Sequence, residues 1–417
     1  MKAAHGRQWP AVALTIGSRV AIIAVGLTTS IITARALGAE GRGEYFAVMT
    51  LAGIIAQFSN VGLSSSNTLL AARDSACSDR LLANSVWVSV ACWLVGVAVV
   101  VASGTRLSER LSVEPLALLM SVTLAPCILF QTLGSSLLVA GERFGVLNAW
   151  LVGNAFAAVG LMAVCAWLHV GPVGFLMATT AAAAATALGI WFSARQPGPA
   201  IGLFDLSLFR SGLSFAARAY VAVLAGFLMQ RVAASVMIAH GDLRALGIFS
   251  VSSQVYDVLM ILPGSAALVL FPRLVKDQHN SWRTTRGVLV TTSVLMLLAC
   301  ALAVGFGGII LPLVFGPPFA ASVAPTVALL PAALCMSAVA IMSQMLVARL
   351  YPMSLVLIWA GGLAATLAFA VVLYPRFGVV GVAAAQSLGA VAVFAGVVTL
   401  TAVRLRSAGD HRGGVVA

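Results

Sequence analysis

Apolar runs of about 20 residues alternate with short polar segments along the whole chain. A helix needs about 20 apolar residues to cross the hydrocarbon core of a bilayer, so each run predicts one membrane-spanning helix. The connections are short, with about 15 residues in the longest, and leave no room for an inserted soluble domain. The pattern predicts an all-α polytopic membrane protein with twelve spans, at about 11–34, 44–66, 81–103, 115–139, 146–168, 173–194, 212–239, 245–271, 287–312, 323–348, 353–374 and 379–403.

The composition agrees with this pattern. Of the 417 residues, 61% are hydrophobic and 9% are charged, and the mean hydropathy is +1.05. Soluble proteins have about 25% charged residues, so this chain cannot cover a soluble surface. A soluble enzyme, a disordered protein and a secreted disulfide scaffold are thereby excluded.

Other kinds of chemistry lack their motifs. The six cysteines have no C-x-x-C spacing and no histidine placed to share a metal, so no metal or other cofactor is predicted. Neither Lys2 nor Lys276 ends a glycine-rich phosphate loop. The basic residues are scattered singly between apolar runs, so a nucleic acid partner is not expected.

The basic residues instead indicate the orientation in the membrane. With a cytoplasmic N-terminus, about fifteen of the 24 lysines and arginines fall in cytoplasmic segments and about six fall outside, as the positive-inside rule requires. Both termini are therefore predicted to be cytoplasmic. The six outside residues are Arg35, Arg42, Arg106, Arg110, Arg244 and Arg376.

The two halves of the chain share the same landmarks. The offset between matching positions rises from 204 residues (43 to 247) to 207 residues (171 to 378), which is the drift that a duplication with small insertions leaves. Each half holds six spans, so the repeats are parallel. We expect an N-terminal six-helix lobe at 1–194, a cytoplasmic linker at 195–211, a second lobe at 212–403 and a cytoplasmic tail at 404–417. The matched landmarks are Gly43 with Gly247, Pro126 with Pro331, Arg143 with Arg349, and Gly171 and Gly174 with Gly378 and Gly381.

Four charged residues fall within predicted spans: Arg19, Arg218, Arg231 and Asp257. Each costs about 2.5–3.5 kcal/mol near the middle of a bilayer, so each should face a water-filled cavity or a partner. Three cations and one anion favour an anionic ligand, and guanidinium groups bind phosphate oxygens in pairs. We therefore predict Arg19, Arg218 and Arg231 as a phosphate-binding set. The arginines could instead extend to the headgroups, and Arg231 could pair with Asp257, which could also be a proton or sodium site.

Polar side chains recur at helical spacing in two spans, as expected where a helix lines water. Amides and hydroxyls of this kind suit the many hydroxyl groups of a sugar. The predicted cavity lining is Gln57, Asn60, Ser64 and Asn67 in the second span and Gln254 and Asp257 in the eighth.

Five segments resemble a known family in their order and spacing: Ala34–Tyr45, Gly62–Leu63, Phe271–Leu274, Val314–Phe319 and Tyr374–Ala383. Together they resemble the oligosaccharide and polysaccharide flippases of the multidrug/oligosaccharidyl-lipid/polysaccharide superfamily, over essentially the whole chain. One departure concerns the seventh span, where many relatives have Arg-x-Asp but Val232 and Ala233 follow Arg231 here. A pairing or coupling role of that missing carboxylate is therefore in doubt.

The resemblance implies a twelve-helix, two-lobed bundle with a fold like that of the MATE exporters. It implies a flippase, not an enzyme, that moves a polyprenyl-diphosphate-linked oligosaccharide across the bacterial cytoplasmic membrane by alternating access. The similarity is to the O-antigen and exopolysaccharide branch, whereas members of the peptidoglycan-precursor branch generally have fourteen spans. The implied partners are the lipid-linked oligosaccharide, membrane lipids, and polysaccharide polymerase and export proteins.

Three rival interpretations remain. A cation-coupled multidrug exporter of the same superfamily would share the fold, although the excess of arginine argues against a cationic substrate. A major-facilitator carrier also has twelve spans in parallel halves, but its signature loop is absent from 71–80. A membrane glycan polymerase or ligase would need a large outside loop, which the short connections do not provide.

Overall fold

The chain is helical throughout the residues that the computed structural model describes. Its backbone is described at 2–195, 202–276, 281–349 and 353–413, and its side chains are described there except at 2–23, 214–219, 272, 275–276, 348–349 and 406–413. Two short 3₁₀ helices lie at Ser75–Cys77 and Pro317–Ser322. The helices are α1 (Lys2–Asn60), α2 (Leu63–Arg73), α3 (Ser78–Ser103), α4 (Arg106–Leu111), α5 (Pro115–Ala140), α6 (Phe144–Trp167), α7 (Pro172–Ala194), α8 (Leu206–Ala239), α9 (Leu243–Lys276), α10 (Ser281–Phe315), α11 (Val323–Arg349) and α12 (Met353–Gly413).

Helix α1 contains two of the predicted spans, joined at Gly38. This glycine has φ 67°, which interrupts the helix. Arg42 on the far side of the break donates hydrogen bonds to the carbonyl and hydroxyl oxygens of Ser30. Twelve residues of straight helix would separate these two by about 18 Å, so the chain turns back at Gly38. The turn needs one glycine and leaves Arg42 buried against the preceding span, while its place on the outer side of the membrane stays a prediction.

Helix α12 has the same construction around Gly378, where φ is 55°. A Cβ atom added to Gly362 would meet Val393, and one added to Gly389 would meet Thr366. Each of these pairs is placed nearly symmetrically about Gly378, as in an antiparallel hairpin. The two limbs of α12 are the eleventh and twelfth predicted spans.

The predicted membrane-spanning architecture is confirmed. Nine helices of the described residues are long and apolar enough to cross a membrane, or ten if the bent pair 24–60 and 63–73 is one span. Dividing α1 at Gly38 and α12 at Gly378 then gives the twelve predicted spans. The structure has fewer separate helices than spans because the chain is helical on both sides of the tight turns at Gly38 and Gly378.

Contacts divide the chain into two compact units. The first comprises Met1–Tyr220 and Met237–Gly247, and the second comprises Val221–Val236 and Ile248–Ala417. Helices α8 and α9 therefore contribute residues to both units. The predicted lobe boundaries at 194 and 212 stay a prediction.

Helix α5 forms the centre of the first unit. It packs against α1, α2, α3 and α7, and half of its most apolar window is buried, compared with 6% in α6. Leu124 of α5 packs with Ala52 of α1, and Leu129 and Leu133 pack with Ala56. The small side chains of α1 allow this close packing, which leaves α6 to face the lipid.

Helix α11 is the most buried span of the second unit and packs against α10 and α12. Pro331 lies inside it and disturbs the hydrogen bonds of the preceding turn. The hydroxyl of Ser387 in α12 donates to the Ala328 carbonyl at 2.5 Å and accepts from the Ala332 amide at 3.2 Å. A neighbouring helix thus supplies the partners that the proline removes.

Two glycines in the first unit bring α1 and α9 into backbone contact. A Cβ atom added to Gly43 would overlap the carbonyl oxygen of Leu243, and one added to Gly247 would overlap that of Ala39. The contact is reciprocal, and both pairs of equivalent positions are 204 residues apart (39 to 243 and 43 to 247). Small residues four apart permit such approaches in membranes. The reciprocal contact supports the predicted duplication.

A cluster of polar contacts fixes the end of the linker to α3 within the first unit. The Asn84 side chain exchanges two hydrogen bonds with the backbone of Asp205, at 2.9 and 2.7 Å. Trp87 donates to the Gly202 carbonyl at 3.1 Å, and Arg80 pairs with the Asp205 carboxylate at 3.1 Å. We call this set of five residues the linker clamp.

Asp205 also begins helix α8. Its carboxylate accepts hydrogen bonds from the hydroxyl and amide of Ser207 and from the amide of Leu208. The hydrogen bond from the Ser207 hydroxyl, followed by that from the Leu208 amide, lowers the pKa of Asp205 below its usual value. The ionised carboxylate is therefore the form that caps α8 and completes the linker clamp.

We predict that Gly43→Ala destabilises the protein by about 1–3 kcal/mol, because the new methyl group forces two backbones apart. Gly153→Ala in α6 is the matched control, since a Cβ atom there meets nothing within 4 Å. Thermal unfolding in detergent measures both. Equal shifts for the two variants would contradict the close backbone contact.

We predict that Asp205→Ala lowers the unfolding temperature at neutral pH and that the difference shrinks in acid. The folded pKa is depressed, so the carboxylate stabilises the protein above its unfolded pKa of about 3.9 and loses this effect as the pH falls through the folded pKa. Arg80→Gln should have a smaller effect, because it removes one exposed ion pair and leaves the helix cap. Thermal unfolding from pH 7 downward tests this, and a constant difference at every pH would contradict it.

Candidate functional site

The polar stripe of the second span lies where α1 ends and α2 begins. Val61 and Gly62 both have positive φ, at 44° and 80°, and break the helix there. Asn60 is buried, and its amide donates to the Ser64 hydroxyl at 3.2 Å and accepts from the Ser64 backbone at 3.1 Å. Asn60 therefore supplies a capping interaction across the break, while Ser64 is half-buried.

The remaining two members of this stripe have different environments. Asn67 is buried, and its amide donates to the Ser85 hydroxyl of α3 at 3.1 Å. Gln57 is half-buried, and its backbone carbonyl accepts a hydrogen bond from the Tyr220 hydroxyl. The helical spacing indicated a polar face, but part of that face forms hydrogen bonds to neighbouring helices. Gln57 and Ser64 are its more accessible members.

Arg231 lies in the part of α8 that belongs to the second unit. Its guanidinium group lies over the Phe227 ring, 5.4 Å from the ring centroid. Its Nε atom is buried and has no hydrogen-bond partner among the described residues. An unpaired buried N–H of a cation is costly, so this group is ready to accept an anionic ligand.

Asp257 and Gln254 lie one turn apart on α9 in the same unit. Asp257 is exposed and Gln254 is half-buried. Asp257 lies within electrostatic range of Arg231, but no ion pair closer than 4.0 Å joins these two described residues. The direct Arg231–Asp257 pair considered from the sequence is therefore not formed, and both groups keep capacity for a ligand.

The side chains of Arg19 and Arg218 lie outside the described residues. Their predicted contribution to a phosphate site stays a prediction. The described part of the set consists of Arg231, Gln254 and Asp257 in the second unit and Gln57, Asn60, Ser64 and Asn67 in the first.

Sequence reasoning missed the role of Arg42. It is 4% exposed, and it donates to both oxygens of Ser30 and to the Thr33 hydroxyl at 3.5 Å. These bonds connect the two limbs of α1. In the sequence, Arg42 counted only among the basic residues of the outer side, and the signal for burial was Ser30 and Thr33, two hydroxyl residues one turn apart in the preceding span.

The arrangement suits the reversible binding of polar ligands. Within the described ranges, no group of three or more His, Cys, Asp or Glu side chains could hold a metal ion. The polar groups in the spans are a guanidinium with an unsatisfied donor, one accessible carboxylate, amides and hydroxyls. Such groups bind phosphate and sugar oxygens by charge-assisted and neutral hydrogen bonds.

These features define a multi-pass helical membrane protein with polar groups inside its spans. No protein-family model and no curated protein sequence matches the chain. Solved structures do match. The lipid II flippase MurJ in an inward closed conformation has a TM-score of 0.78 and 12% identity, with 93% of this chain and 87% of that chain covered.

Two further structures are similar over nearly their full length. An inward-facing MATE family multidrug transporter of the MOP superfamily has a TM-score of 0.69 and 15% identity, covering 92% of this chain and 94% of that one. A MATE protein in the straight conformation has a TM-score of 0.60 and 14% identity, covering 95% of each chain. The chain therefore has the fold that these MurJ and MATE structures share, and the MATE-like fold expected from the sequence is confirmed.

Proposed function

We propose that this protein is a flippase that translocates a polyprenyl-diphosphate-linked oligosaccharide across the bacterial cytoplasmic membrane. The observation that carries the proposal is the buried, unpaired Nε donor of Arg231. A buried, unpaired donor is costly in a membrane, and Arg231 is the one charged residue among the described buried side-chain atoms without a partner, which supports a ligand-binding role. A diphosphate supplies several anionic oxygens in one group and satisfies a guanidinium better than a neutral ligand does.

The fold supports transport as the activity. The similar structures include a lipid II flippase and multidrug transporters, so the same architecture serves both lipid-linked and drug substrates. Their low identity leaves the choice of substrate to the residues of this chain. The four charged residues within its spans are three arginines and one aspartate, which favours the anionic class.

In the proposed mechanism, Arg231 binds the diphosphate together with the predicted contributions of Arg19 and Arg218. Gln57, Ser64 and Gln254 supply donors and acceptors for the glycan. Rearrangement of the predicted lobes 1–194 and 212–403 then exposes the substrate to the other side, with both termini in the cytoplasm. The translocated lipid-linked oligosaccharide is then released among the membrane lipids, and polymerase or export proteins use it.

Asp257 has a physical role in this scheme. It lies near Arg231 without contacting it directly, so its charge partly offsets the guanidinium when no substrate is bound. An anionic substrate must compete with this field. This competition lowers the affinity for the substrate, so that the protein can both bind and release it.

A cation-coupled multidrug exporter is the second candidate, favoured by the exposed carboxylate of Asp257 and by the likeness to MATE transporters. In that case Asp257 would bind the cation, and Arg231 would be a structural residue. The positive charge of Arg231 is essential for the flippase, whereas the negative charge of Asp257 is essential for the multidrug exporter.

We predict that Arg231→Gln lowers translocation of a fluorescent polyprenyl-diphosphate glycan in proteoliposomes by about tenfold to a hundredfold. The lost charge-assisted hydrogen bond is worth about 1.5–3 kcal/mol, and each 1.4 kcal/mol is about tenfold. Arg231→Lys should recover only part of the rate, because an ammonium group lacks the planar fork of donors. Asp257→Asn should keep the rate or increase it.

Arg283→Gln is the matched control, since Arg283 is an exposed arginine at the start of α10. All variants are first checked for a single peak in size-exclusion chromatography. If Asp257→Asn abolishes transport of a cationic dye while Arg231→Gln leaves glycan translocation unchanged, the multidrug exporter replaces the flippase.

A further inference from the structure

An apolar groove in the first unit is not used by the proposed transport site. It lies between 39–60 of α1 and helices α3, α4 and α5, and its volume is about 530 Å³, within the range of small-molecule sites. Leu51, Ile55 and Val122 are among its lining residues. Its α3 wall includes Val95, which is 64% exposed, so the groove is open to the lipid.

The length of the groove matches one leaflet of a bilayer. Its lining on α3 runs from Val88 to Val100, which is about 18 Å of helix. Half of the hydrocarbon core is about 15 Å thick. The groove is therefore long enough to hold a hydrocarbon chain from the middle of the membrane to one surface. It ends at the short helix α4.

Helix α4 places charge at the end of the groove. Leu107 and Leu111 line the groove, while Arg106 and Arg110 are exposed. At about 100° per residue, the two arginines are about 40° apart and each is about 100° from the leucine that follows it, whereas Glu109 is about 60° from Arg106 on the side away from the leucines. The helix thus presents two guanidinium groups beside an apolar wall.

The two arginines have capacity for a ligand. Neither side chain makes a hydrogen bond or an ion pair with any residue in the part of the chain that the structure describes. Of the neighbouring acidic residues, Glu44 accepts a hydrogen bond at its carboxylate from the Glu114 backbone amide at 3.2 Å. An anionic group at the groove end would therefore meet two available cations.

We propose that this groove binds a single-chain lipid diphosphate, with its isoprenoid chain along α3 and its phosphates on Arg106 and Arg110. A volume of about 530 Å³ suits one isoprenoid chain better than the two acyl chains of a phospholipid. Two adjacent guanidinium groups fit two linked phosphates. The proposal rests on the proposed function for the source of the ligand, because the transported lipid has this group and α4 lies on the predicted outer side. The groove is then an exit site for the product.

The test counts bound lipid by native mass spectrometry on the detergent-solubilised full-length protein. The probe is geranylgeranyl diphosphate, a single isoprenoid chain with two phosphates. Geranylgeraniol lacks the phosphates, and phosphatidylglycerol has two chains and one phosphate. We expect the diphosphate to bind at least about tenfold more tightly than either, since each arginine–phosphate bond is worth about tenfold or more.

Variants assign the bound lipid to the groove. Val95→Trp fills the groove and should remove one equivalent of geranylgeranyl diphosphate. Leu94→Trp, at a neighbouring residue that is 55% exposed and does not line the groove, should not. Arg106→Gln and Arg110→Gln should each weaken this equivalent about tenfold, whereas Arg376→Gln, a charge loss at another exposed arginine on the predicted outer side, should not.

Several results would overturn the inference. Equal binding of phosphatidylglycerol would make the groove a general lipid site, and altered self-association in Val95→Trp would indicate a protein partner instead. The proposed function fails separately. Arg231→Gln should still bind one equivalent of geranylgeranyl diphosphate in the groove. Loss of glycan translocation and loss of groove binding are therefore independent measurements.

Discussion

A bilayer offers no water to a buried polar group, so the protein itself must supply every partner. This constraint explains the polar contacts within the spans. Ser387 bridges the backbone groups freed around Pro331, and Arg42 donates to Ser30 and Thr33. Seven buried side-chain atoms of the described residues lack a partner, and the Nε of Arg231 is the one that belongs to a charged group. Exceptions of this kind are expected where a ligand completes the hydrogen bonding.

Small residues extend the same constraint to the backbone. The approach of Gly43 to Leu243 and of Gly247 to Ala39 replaces side-chain packing with direct contact between helices. In lipid, where apolar side chains gain little by leaving the solvent, such contact is a main source of association. The two glycines are also the positions that the sequence offset of 204 residues relates. The most crowded contact of the first unit therefore involves equivalent segments of the repeat.

The number and type of spans could be predicted from the sequence, because hydrophobic length is a local property of the chain. The connections at 35–43 and 375–378 were also located, but the single-glycine turns at Gly38 and Gly378 could not be predicted, since the chain stays helical on both sides of each glycine. The stripe of Asn60 and Asn67 shows the same limit at the site. Periodicity finds a polar face, but only the positions of α2 and α3 show that Asn67 bonds to Ser85 instead of lining a cavity. The sequence indicated Arg231 because a charge within an apolar run is easy to recognise. Only the structure shows that its Nε atom lacks a hydrogen-bond partner.

The turn at Gly38 also bears on how the chain is made. The first two spans share one glycine as their connection, and Arg42 bonds back to Ser30 across it. A single span leaving the ribosome would expose these polar groups to the bilayer without partners. Insertion of both limbs together gives the guanidinium its partners at once, so this hydrogen bond favours membrane insertion of the two limbs as a pair.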